Sequence, residues 1–360
     1  MERVNYHAYQ ALCRQYSVAV CGPEGAGVFA EKDTPIAESP LSPLSSYLFH
    51  TQWQALRMAW RVHPEIVYSG SGLTAPAALM AGRAAGAKTI CFLHGLDIVA
   101  GHAAYRHIFL PAIRRFDRVL VNSQHTASLA MQAGIKIEKI SIVHPGVELP
   151  EWDERESARL RFREKFGLKN KQLLLSAGRL TQRKGIAEFI RYTLPGIASR
   201  FPQTMLLIIG EEPKNALRHT QGVTDDIKKA IRETGLDDHV ALLGGVDEKC
   251  LSDAYFASDI MIFPVLNLPG DVEGFGMVAI EAAAHGLLTL GFAVGGTPDA
   301  VAEGVSGCLL PFGDYASLAE QIIRKLETGI ADRWSRQCRK HAEKFEWEIF
   351  RQRFLAACQA

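Results

Sequence analysis

The chain has 360 residues, a length that suits two domains of ordinary size better than one small core. Its composition, with 48% hydrophobic and 22% charged residues, is typical of a soluble globular protein. Forty basic and 39 acidic side chains leave a formal charge of +1, which excludes a global field that would recruit nucleic acid or an anionic membrane.

Short apolar runs alternate with helical patterns from one end of the chain to the other. Strands are predicted in the first half at residues 17–21, 65–69, 89–93, 118–122 and 139–144, and in the second half at residues 173–177, 205–209, 240–243, 260–264, 288–291 and 307–310. Apolar strands of this kind, separated by helices, indicate parallel sheets that are covered on both faces. The sequence therefore predicts an α/β fold of the doubly wound type.

The beginning of the chain lacks the strand and glycine turn with which a doubly wound domain should open. Residues 3–15 form a helical pattern instead, so the first strand of the first domain is missing from the predicted order. Two explanations stay open, namely a divergent or shortened N terminus and a true start upstream of Met1.

A segment of the first domain, residues 53–61, combines aromatic and basic side chains along a helical pattern. This combination suits a helix that lies at a membrane interface. The alternative is a helix that packs on the sheet through Trp53, Leu56 and Trp60. We therefore keep peripheral membrane contact as an open alternative.

The predicted domain boundary is a polar, proline-broken segment at residues 147–153. The first domain is expected to cover residues 1–150 and the second residues 151–340. Residues 341–360 form an amphipathic pattern and are expected to be a C-terminal helix.

Two cations follow the first strand of the second domain. Arg179 ends this strand, Gly178 lets the backbone approach a ligand, and Lys184 lies where the next helix begins. An arginine fork and a lysine point charge that converge on one crevice suit a diphosphate. If so, alanine at either position weakens diphosphate binding with little loss of fold stability. The alternative is that both are solvated surface groups.

Three more residues directly follow predicted strands, at the sheet edge where parallel sheets bind ligands. They are His94 in the first domain, and Gly210 and Gly244 in the second. The functional interpretation is contact with a ligand. The structural alternative is a satisfied core histidine and two tight turns.

The segment 271–282 gives the strongest signal. Its glycines precede a helical run and expose backbone N–H groups at a helix N terminus, around Gly276 and Met277, which is an anion site. Glu273 lies in the loop, whereas Glu281 lies about two turns into the helix among apolar residues. A partly buried carboxylate needs a partner, and sugar hydroxyls are one.

The seven cysteines are scattered without a C-x-x-C pair, which is typical of reduced thiols and not of a zinc site. The sequence contains no P-loop, no G-x-S-x-G elbow and no D-x-D at a convincing strand end. We therefore expect a cytoplasmic protein without a metal or other cofactor, with contact on the inner face of the membrane still open.

These motifs together resemble glycosyltransferase family 4. The residues concerned are Gly178-Arg179, Lys184-Gly185, Glu273-Gly274-Phe275-Gly276 with Glu281, and Gly295-Gly296-Thr297-Pro298. The resemblance implies the GT-B fold, in which two Rossmann-like domains face a central cleft and the C-terminal helix crosses back to the first domain. It also implies a retaining enzyme.

By this resemblance, each site residue has an expected role. Arg179 and Lys184 hold the donor diphosphate, and Glu281 holds the nucleotide ribose. Glu273, with the backbone of Phe275 and Gly276, holds the donor sugar and phosphates. His94 reaches the donor sugar from the first domain.

The expected reaction moves a hexose of mannose or glucose type from a GDP- or UDP-sugar to a lipid, glycan or small-molecule acceptor. The form of segment 271–276 resembles mannosyltransferases of cell-envelope polysaccharide or glycolipid synthesis. Two alternatives stay open, a non-catalytic nucleotide-sugar-binding relic and a GT-B nucleotide-sugar epimerase.

Overall fold

The computed structural model describes residues 2–99, 105–213, 222–329 and 332–359. The chain forms two compact units. The first contains residues 1–146 together with residues 347–360, and the second contains residues 147–346. The first unit thus ends four residues before the expected boundary, and the last 14 residues pack with it.

Parallel strands form the sheets of both units. In the first unit they are β1 (Val20–Pro23), β2 (Ile36–Ser39), β3 (Ile66–Ser69), β4 (Lys88–Leu93), β5 (Arg118–Val121) and β6 (Ile140–Ile142). In the second unit they are β7 (Gln172–Ala177), β8 (Thr204–Ile209), β9 (Val240–Gly244), β10 (Ile260–Phe263), β11 (Leu288–Phe292) and β12 (Gly307–Leu310).

Helices connect these strands. Those before the boundary are α1 (Glu2–Cys13), α2 (Leu44–Val62), α3 (Ala75–Ala85), α4 (Leu96–Val99), α5 (Leu110–Ile113) and α6 (Gln124–Gln132). Those of the second unit are α7 (Arg155–Lys165), α8 (Ile186–Tyr192), α9 (Leu194–Arg200), α10 (Val223–Thr234), α11 (Glu248–Ala257), α12 (Met277–Ala284), α13 (Thr297–Ala300), α14 (Tyr315–Thr328) and α15 (Asp332–Ala342). The last helix, α16 (Trp347–Gln359), belongs to the first unit.

The sheet of the second unit has the strand order β12-β11-β10-β7-β8-β9. The order reverses between β7 and β10, which pair through Leu174 and Ile260. In a doubly wound sheet, this reversal opens a crevice at the carboxyl ends of the two strands. Arg179 and Lys184 follow β7, and Glu273 lies in the segment that follows β10.

Each central strand of this sheet is apolar on both faces, because helices cover both sides. Leu174 contributes to the core on one face, whereas Leu173 and Leu175 contribute to the core on the other. This arrangement explains why the sequence shows continuous apolar runs here and not an alternating pattern.

The first unit has a four-stranded sheet in the order β3-β4-β5-β6, and β1 pairs with β2 in a separate two-stranded sheet. On one face of β4, Cys91 and Leu93 join a core with α3 and α5. On the other face, the ring of Phe92 lies 6.4 Å from that of Phe350 in α16. The C-terminal helix therefore helps to cover the second face of this sheet.

Helix α2 corrects the packing interpretation of residues 53–61. That interpretation buried Trp53 and Trp60 against the sheet, but their side chains are 66% and 79% exposed. The buried residues of the helix are Tyr47, Thr51 and Ala59. The packing alternative was wrong because Tyr47, Thr51 and Ala59, and not the two tryptophans, form the inner face.

Candidate functional site

The carboxyl ends of β7, β8 and β9 meet through glycine backbone. The Gly178 N–H donates to the Ile209 carbonyl over 2.9 Å, and the Gly210 N–H donates to the Gly244 carbonyl over 2.8 Å. A Cβ at Gly210, where φ is 143°, would collide with the Gly178 carbonyl oxygen. The structure thus brings together the three glycines that the sequence singled out, and only glycine allows the strand ends to approach this closely.

Lys184 and Glu273 form a buried ion pair. The Lys184 ammonium lies 2.8 Å from Glu273 Oε2, and 4.8 Å from the centre of the Phe263 ring. The neighbouring Arg183 places Nε 3.3 Å from the same carboxylate oxygen and Nη1 2.9 Å from Asp271 Oδ1. Two cations and two carboxylates therefore form one network around Glu273.

The network keeps the Glu273 carboxylate ionised. Burial disfavours the charged form of Glu273, but the charges of Lys184 and Arg183 outweigh burial and lower its pKa to about 2. Burial lowers the pKa of Lys184, an effect that Glu273 opposes and that Arg183 and Arg179 reinforce. At neutral pH, Glu273 is therefore an anion with hydrogen-bond acceptor capacity.

Arg179 has different surroundings from Lys184, although the sequence predicts one role for both. Its side chain is exposed at the end of β7. Among the residues that the structure describes, its guanidinium has no hydrogen-bond or ion-pair partner. Arg179 can therefore bind an anion without first breaking an internal contact, whereas Lys184 is held by Glu273.

The loop that contains Glu273 packs against a second loop, which contains Gly295 and Gly296 and precedes α13. The Gly296 N–H donates to the Glu273 carbonyl over 2.8 Å. A Cβ at Gly296 would collide with the Gly274 carbonyl oxygen. The Gly-Gly pair of the second loop thus allows backbone to pack directly on backbone, and this contact fixes the position of Glu273.

Helix α12 begins at Met277, directly after Gly276, whose φ of 98° is left-handed. In the described part of the chain, no side chain caps this helix end. Its first N–H groups lack intrahelical acceptors and give the end a partial positive charge. The Phe275 side chain is buried in the core next to Phe345, with ring centres 5.8 Å apart.

Glu281 lies on α12 and is half-buried, as its apolar neighbours predict. The Tyr255 hydroxyl of α11 donates to Glu281 Oε2 over 3.1 Å. The Tyr255 ring in turn stacks on His285, with ring centres 4.8 Å apart. This contact orients the carboxylate that is expected to hold a ribose.

His94 belongs to the first unit and follows β4. Its Nε2 lies 3.0 Å from the Gly70 carbonyl oxygen, and its ring stacks on Phe92 at 4.8 Å. Its backbone N–H donates to Asp97 Oδ2 over 3.0 Å. Burial lowers the pKa of His94 to about 3, so the imidazole is neutral, donates Nε2–H and keeps Nδ1 as an acceptor. Its role toward a sugar stays a prediction.

Sequence reasoning missed Arg183, Asp271 and Tyr255. Arg183 is adjacent to Lys184 and Asp271 stands two residues before Glu273, but nothing in the sequence pairs two side chains 88 residues apart. Among the residues that the structure describes, no group of three His, Cys, Asp or Glu side chains could hold a metal ion.

Two enzymes of Mycolicibacterium smegmatis are among the relatives of this chain. The D-inositol 3-phosphate glycosyltransferase is 30% identical over 238 residues, which cover 64% of this chain and 50% of that protein. The GDP-mannose-dependent alpha-(1-6)-phosphatidylinositol monomannoside mannosyltransferase is 27% identical over 261 residues, which cover 70% and 65%. The chain thus spans about half the length of several curated relatives that it matches.

The fold is that of known GT-B proteins. The crystal structure of Anabaena HepE in complex with UDP and glucose matches 98% of this chain and 96% of that chain, with a TM-score of 0.78 and 19% identity. Residues 1–151 match the family model Glycosyltransferase Family 4, which confirms that resemblance. Residues 158–345 match the model described as glycosyl transferases group 1. Since this second model alone matches more than half of the chain, the protein belongs to the glycosyl transferases group 1 family.

Proposed function

We propose that the protein is a retaining glycosyltransferase that moves a hexose from a nucleotide-diphosphate sugar to a hydroxyl group of an acceptor. The observation that supports this best is the contrast between two cations. Arg179 is exposed and unpaired among the described residues, whereas Lys184 and Arg183 hold Glu273 as a buried anion. Such a site offers a cation for phosphate and an anion for hydroxyl groups.

The chemistry follows from these charges. When the glycosidic bond to the donor breaks, negative charge develops on the departing diphosphate. The Arg179 guanidinium and the first N–H groups of α12 are the donors that would stabilise this charge. The N–H groups of α12 are held in place by the helix before the reaction, so they need little reorganisation as the charge develops.

The two carboxylates would bind different hydroxyl groups. Glu273 has its pKa lowered to about 2, so at neutral pH it is an anion that would accept hydrogen bonds from sugar hydroxyls. Glu281, oriented by the Tyr255 hydroxyl, would accept hydrogen bonds from the ribose of the nucleotide. This division assigns Glu273 to the sugar and Glu281 to the nucleotide.

The names of the relatives support a nucleotide-sugar donor. HepE binds UDP and glucose, and one mycobacterial relative uses GDP-mannose. We therefore propose a UDP- or GDP-linked hexose of glucose or mannose type. The relatives' names also refer to inositol phosphate and phosphatidylinositol mannoside, which supports a lipid or small-molecule acceptor as well as a glycan.

We further propose that catalysis needs no divalent metal. Many nucleotide-sugar reactions require positive charge on the diphosphate, and Arg179 with the α12 end would supply it. Activity should therefore persist in EDTA, measured as release of nucleoside diphosphate. Activity abolished by the chelator and restored by Mg²⁺ or Mn²⁺ would overturn this part of the proposal.

The decisive test offers UDP-glucose, UDP-galactose, GDP-mannose and GDP-glucose in turn, with and without inositol phosphate as acceptor. We expect one donor to be turned over, and NMR of the product to show that the anomeric configuration is kept. Inversion would contradict the retaining assignment. Tight binding of a donor without any turnover would favour the non-catalytic alternative.

A further inference from the structure

Helix α2 carries a row of exposed aromatic side chains. Phe49, Trp53 and Trp60 are 74%, 66% and 79% exposed. Residues separated by four and seven positions lie on one face of a helix, so the three rings form a single row. Trp53 and Trp60 are about 10.5 Å apart along the helix axis, at a rise of about 1.5 Å per residue.

The aromatic row is not needed to hold α2 in place. The buried residues Tyr47, Thr51 and Ala59 lie on the other side of the helix. The helix is also attached through Gln54, whose amide donates to the Glu38 carbonyl of β2 over 2.7 Å. Three large aromatic rings in water, on a helix that is already anchored, are typical of a surface that has a partner.

The charge of the helix indicates which partner. Residues 44–62 contain no Asp or Glu, and the exposed side chains of His50, Arg57 and Arg61 lie beside the aromatic row. Aromatic rings at the level of lipid headgroups, with arginines next to them, are the pattern of a helix that lies in the surface of an anionic bilayer. A protein groove would not require a helix free of negative charge.

We propose that this face of α2, formed by Phe49, Trp53, Trp60, Arg57 and Arg61, docks the first unit on an anionic lipid surface. The helix would lie in the plane of the interface, because its opposite face is buried in the first unit. None of the described helices is long and apolar enough to cross a membrane. Docking would hold the protein where lipid acceptors are found. The proposal concerns α2 alone and does not depend on the donor chemistry.

Flotation of the full chain with vesicles tests this proposal. We expect binding to vesicles of phosphatidylglycerol and phosphatidylcholine at low salt, and little binding to phosphatidylcholine alone. Trp53→Ser with Trp60→Ser should weaken binding roughly tenfold or more, because the buried apolar area is lost. Arg57→Gln and Arg61→Gln should each weaken it about fivefold at low salt and reduce its salt dependence.

The matched control is Tyr192→Ser, which removes an aromatic side chain of similar exposure (62%) from the second unit. It should leave vesicle binding unchanged, and circular dichroism should show that all variants fold.

Equal binding by wild type and by the double tryptophan variant would overturn the proposal. A wild-type dimer in the absence of vesicles, lost in the double tryptophan variant, would assign the face to a second copy instead. Nucleotide affinity should be the same in every α2 variant.

Discussion

Lys184 and Arg179 show how two cations that look equivalent in a sequence acquire different roles in a fold. Lys184 is buried between the Glu273 carboxylate and the Phe263 ring. Arg179 is exposed at a strand end. We therefore now expect alanine to spare stability only at the exposed Arg179, and not at both positions.

We predict that Lys184→Met lowers the free energy of unfolding by about 2–3 kcal/mol, because it leaves the buried Glu273 with one cation fewer. Arg179→Ala should change it by less than about 0.5 kcal/mol. Urea denaturation of both variants measures the difference.

Combining Lys184→Met with Glu273→Gln should cost less than the sum of the single changes. Additive costs would contradict the ion pair as the reason for the instability.

Neutralising Glu281 and neutralising Glu273 should impair different properties, namely nucleotide affinity and turnover. Glu281→Gln weakens the acceptor for ribose hydroxyls, so affinity for the bare nucleoside diphosphate should fall about tenfold. Glu273→Gln should mainly reduce turnover, since contacts to the transferring sugar matter most as charge develops on it. Calorimetry and donor-hydrolysis rates separate the two effects. An equal loss of nucleotide affinity in both variants would refute the division.

At this scale, the sequence shows which residues can do chemistry but not which of them pair. Glu273 and Glu281 stand out because carboxylates around a glycine-rich helix start are rare on a solvated surface. Arg183 does not stand out, because surface arginines are common. Its contact with Asp271 results from the folding of two distant loops onto one another.

The element that positions the site is the pair of loops before α12 and α13. Gly296 has an ordinary φ of −85°, so other residues could adopt its backbone conformation. Glycine is needed here because there is no room for a Cβ atom. Its neighbour is the backbone of Gly274, which cannot rotate away as a flexible side chain could.

We predict that Gly296→Ala displaces the Glu273 loop, lowers turnover at least about tenfold and lowers the free energy of unfolding by about 1–3 kcal/mol. The matched control is Gly196→Ala in α9, where a Cβ meets nothing within 4 Å. This control should leave turnover unchanged and stabilise the helix by up to about 1 kcal/mol. Thermal unfolding and donor hydrolysis provide both measurements, and equal behaviour of the two variants would contradict the loop-support account.

Strands are predicted better than helix faces for a physical reason. A strand that is buried on both sides has to be apolar throughout, so β7, β8 and β10 can be located from hydrophobicity alone. The weak strand β2 (Ile36–Ser39) was missed, because it is short, pairs with β1 alone among the described strands and has only one buried residue. The exposure of Trp53 and Trp60 could not be predicted, since an apolar row on a helix suits a core as well as a lipid surface.

At the scale of the whole molecule, buried histidines link stability to pH. Burial lowers the pKa of His7 to about 4, of His94 to about 3 and of His285 to about 4, against 6.5 in the unfolded chain. Each therefore takes up a proton on unfolding between these values, so its contribution is present above about pH 6.5 and is lost as the pH falls. Burial also lowers the pKa of His341, whereas it raises the pKa of Asp97 to about 6, so one group acts in the opposite direction to these four histidines.

We predict that the melting temperature falls between about pH 7 and about pH 5, and that both units are affected, because His7 and His94 lie in the first and His285 in the second. His285→Gln should reduce the pH dependence of the second unit. Scanning calorimetry at several pH values measures the melting temperature of wild type and of His285→Gln. A melting temperature that stays constant or rises toward pH 5 would contradict the assignment of neutral, buried histidines.

The central claim is that the edge of the second sheet binds a nucleoside diphosphate through Arg179. Calorimetric titration of UDP and of GDP into wild type and Arg179→Ala tests it most directly. The control is Arg200→Ala, because the exposed Arg200 pairs only with Glu327, at 3.2 Å, among the described residues. We predict that one nucleotide binds wild type and the control equally, and that Arg179→Ala loses about 1.5–3 kcal/mol of binding free energy, roughly ten- to a hundredfold in Kd. Equal affinity of Arg179→Ala and wild type would contradict the claim.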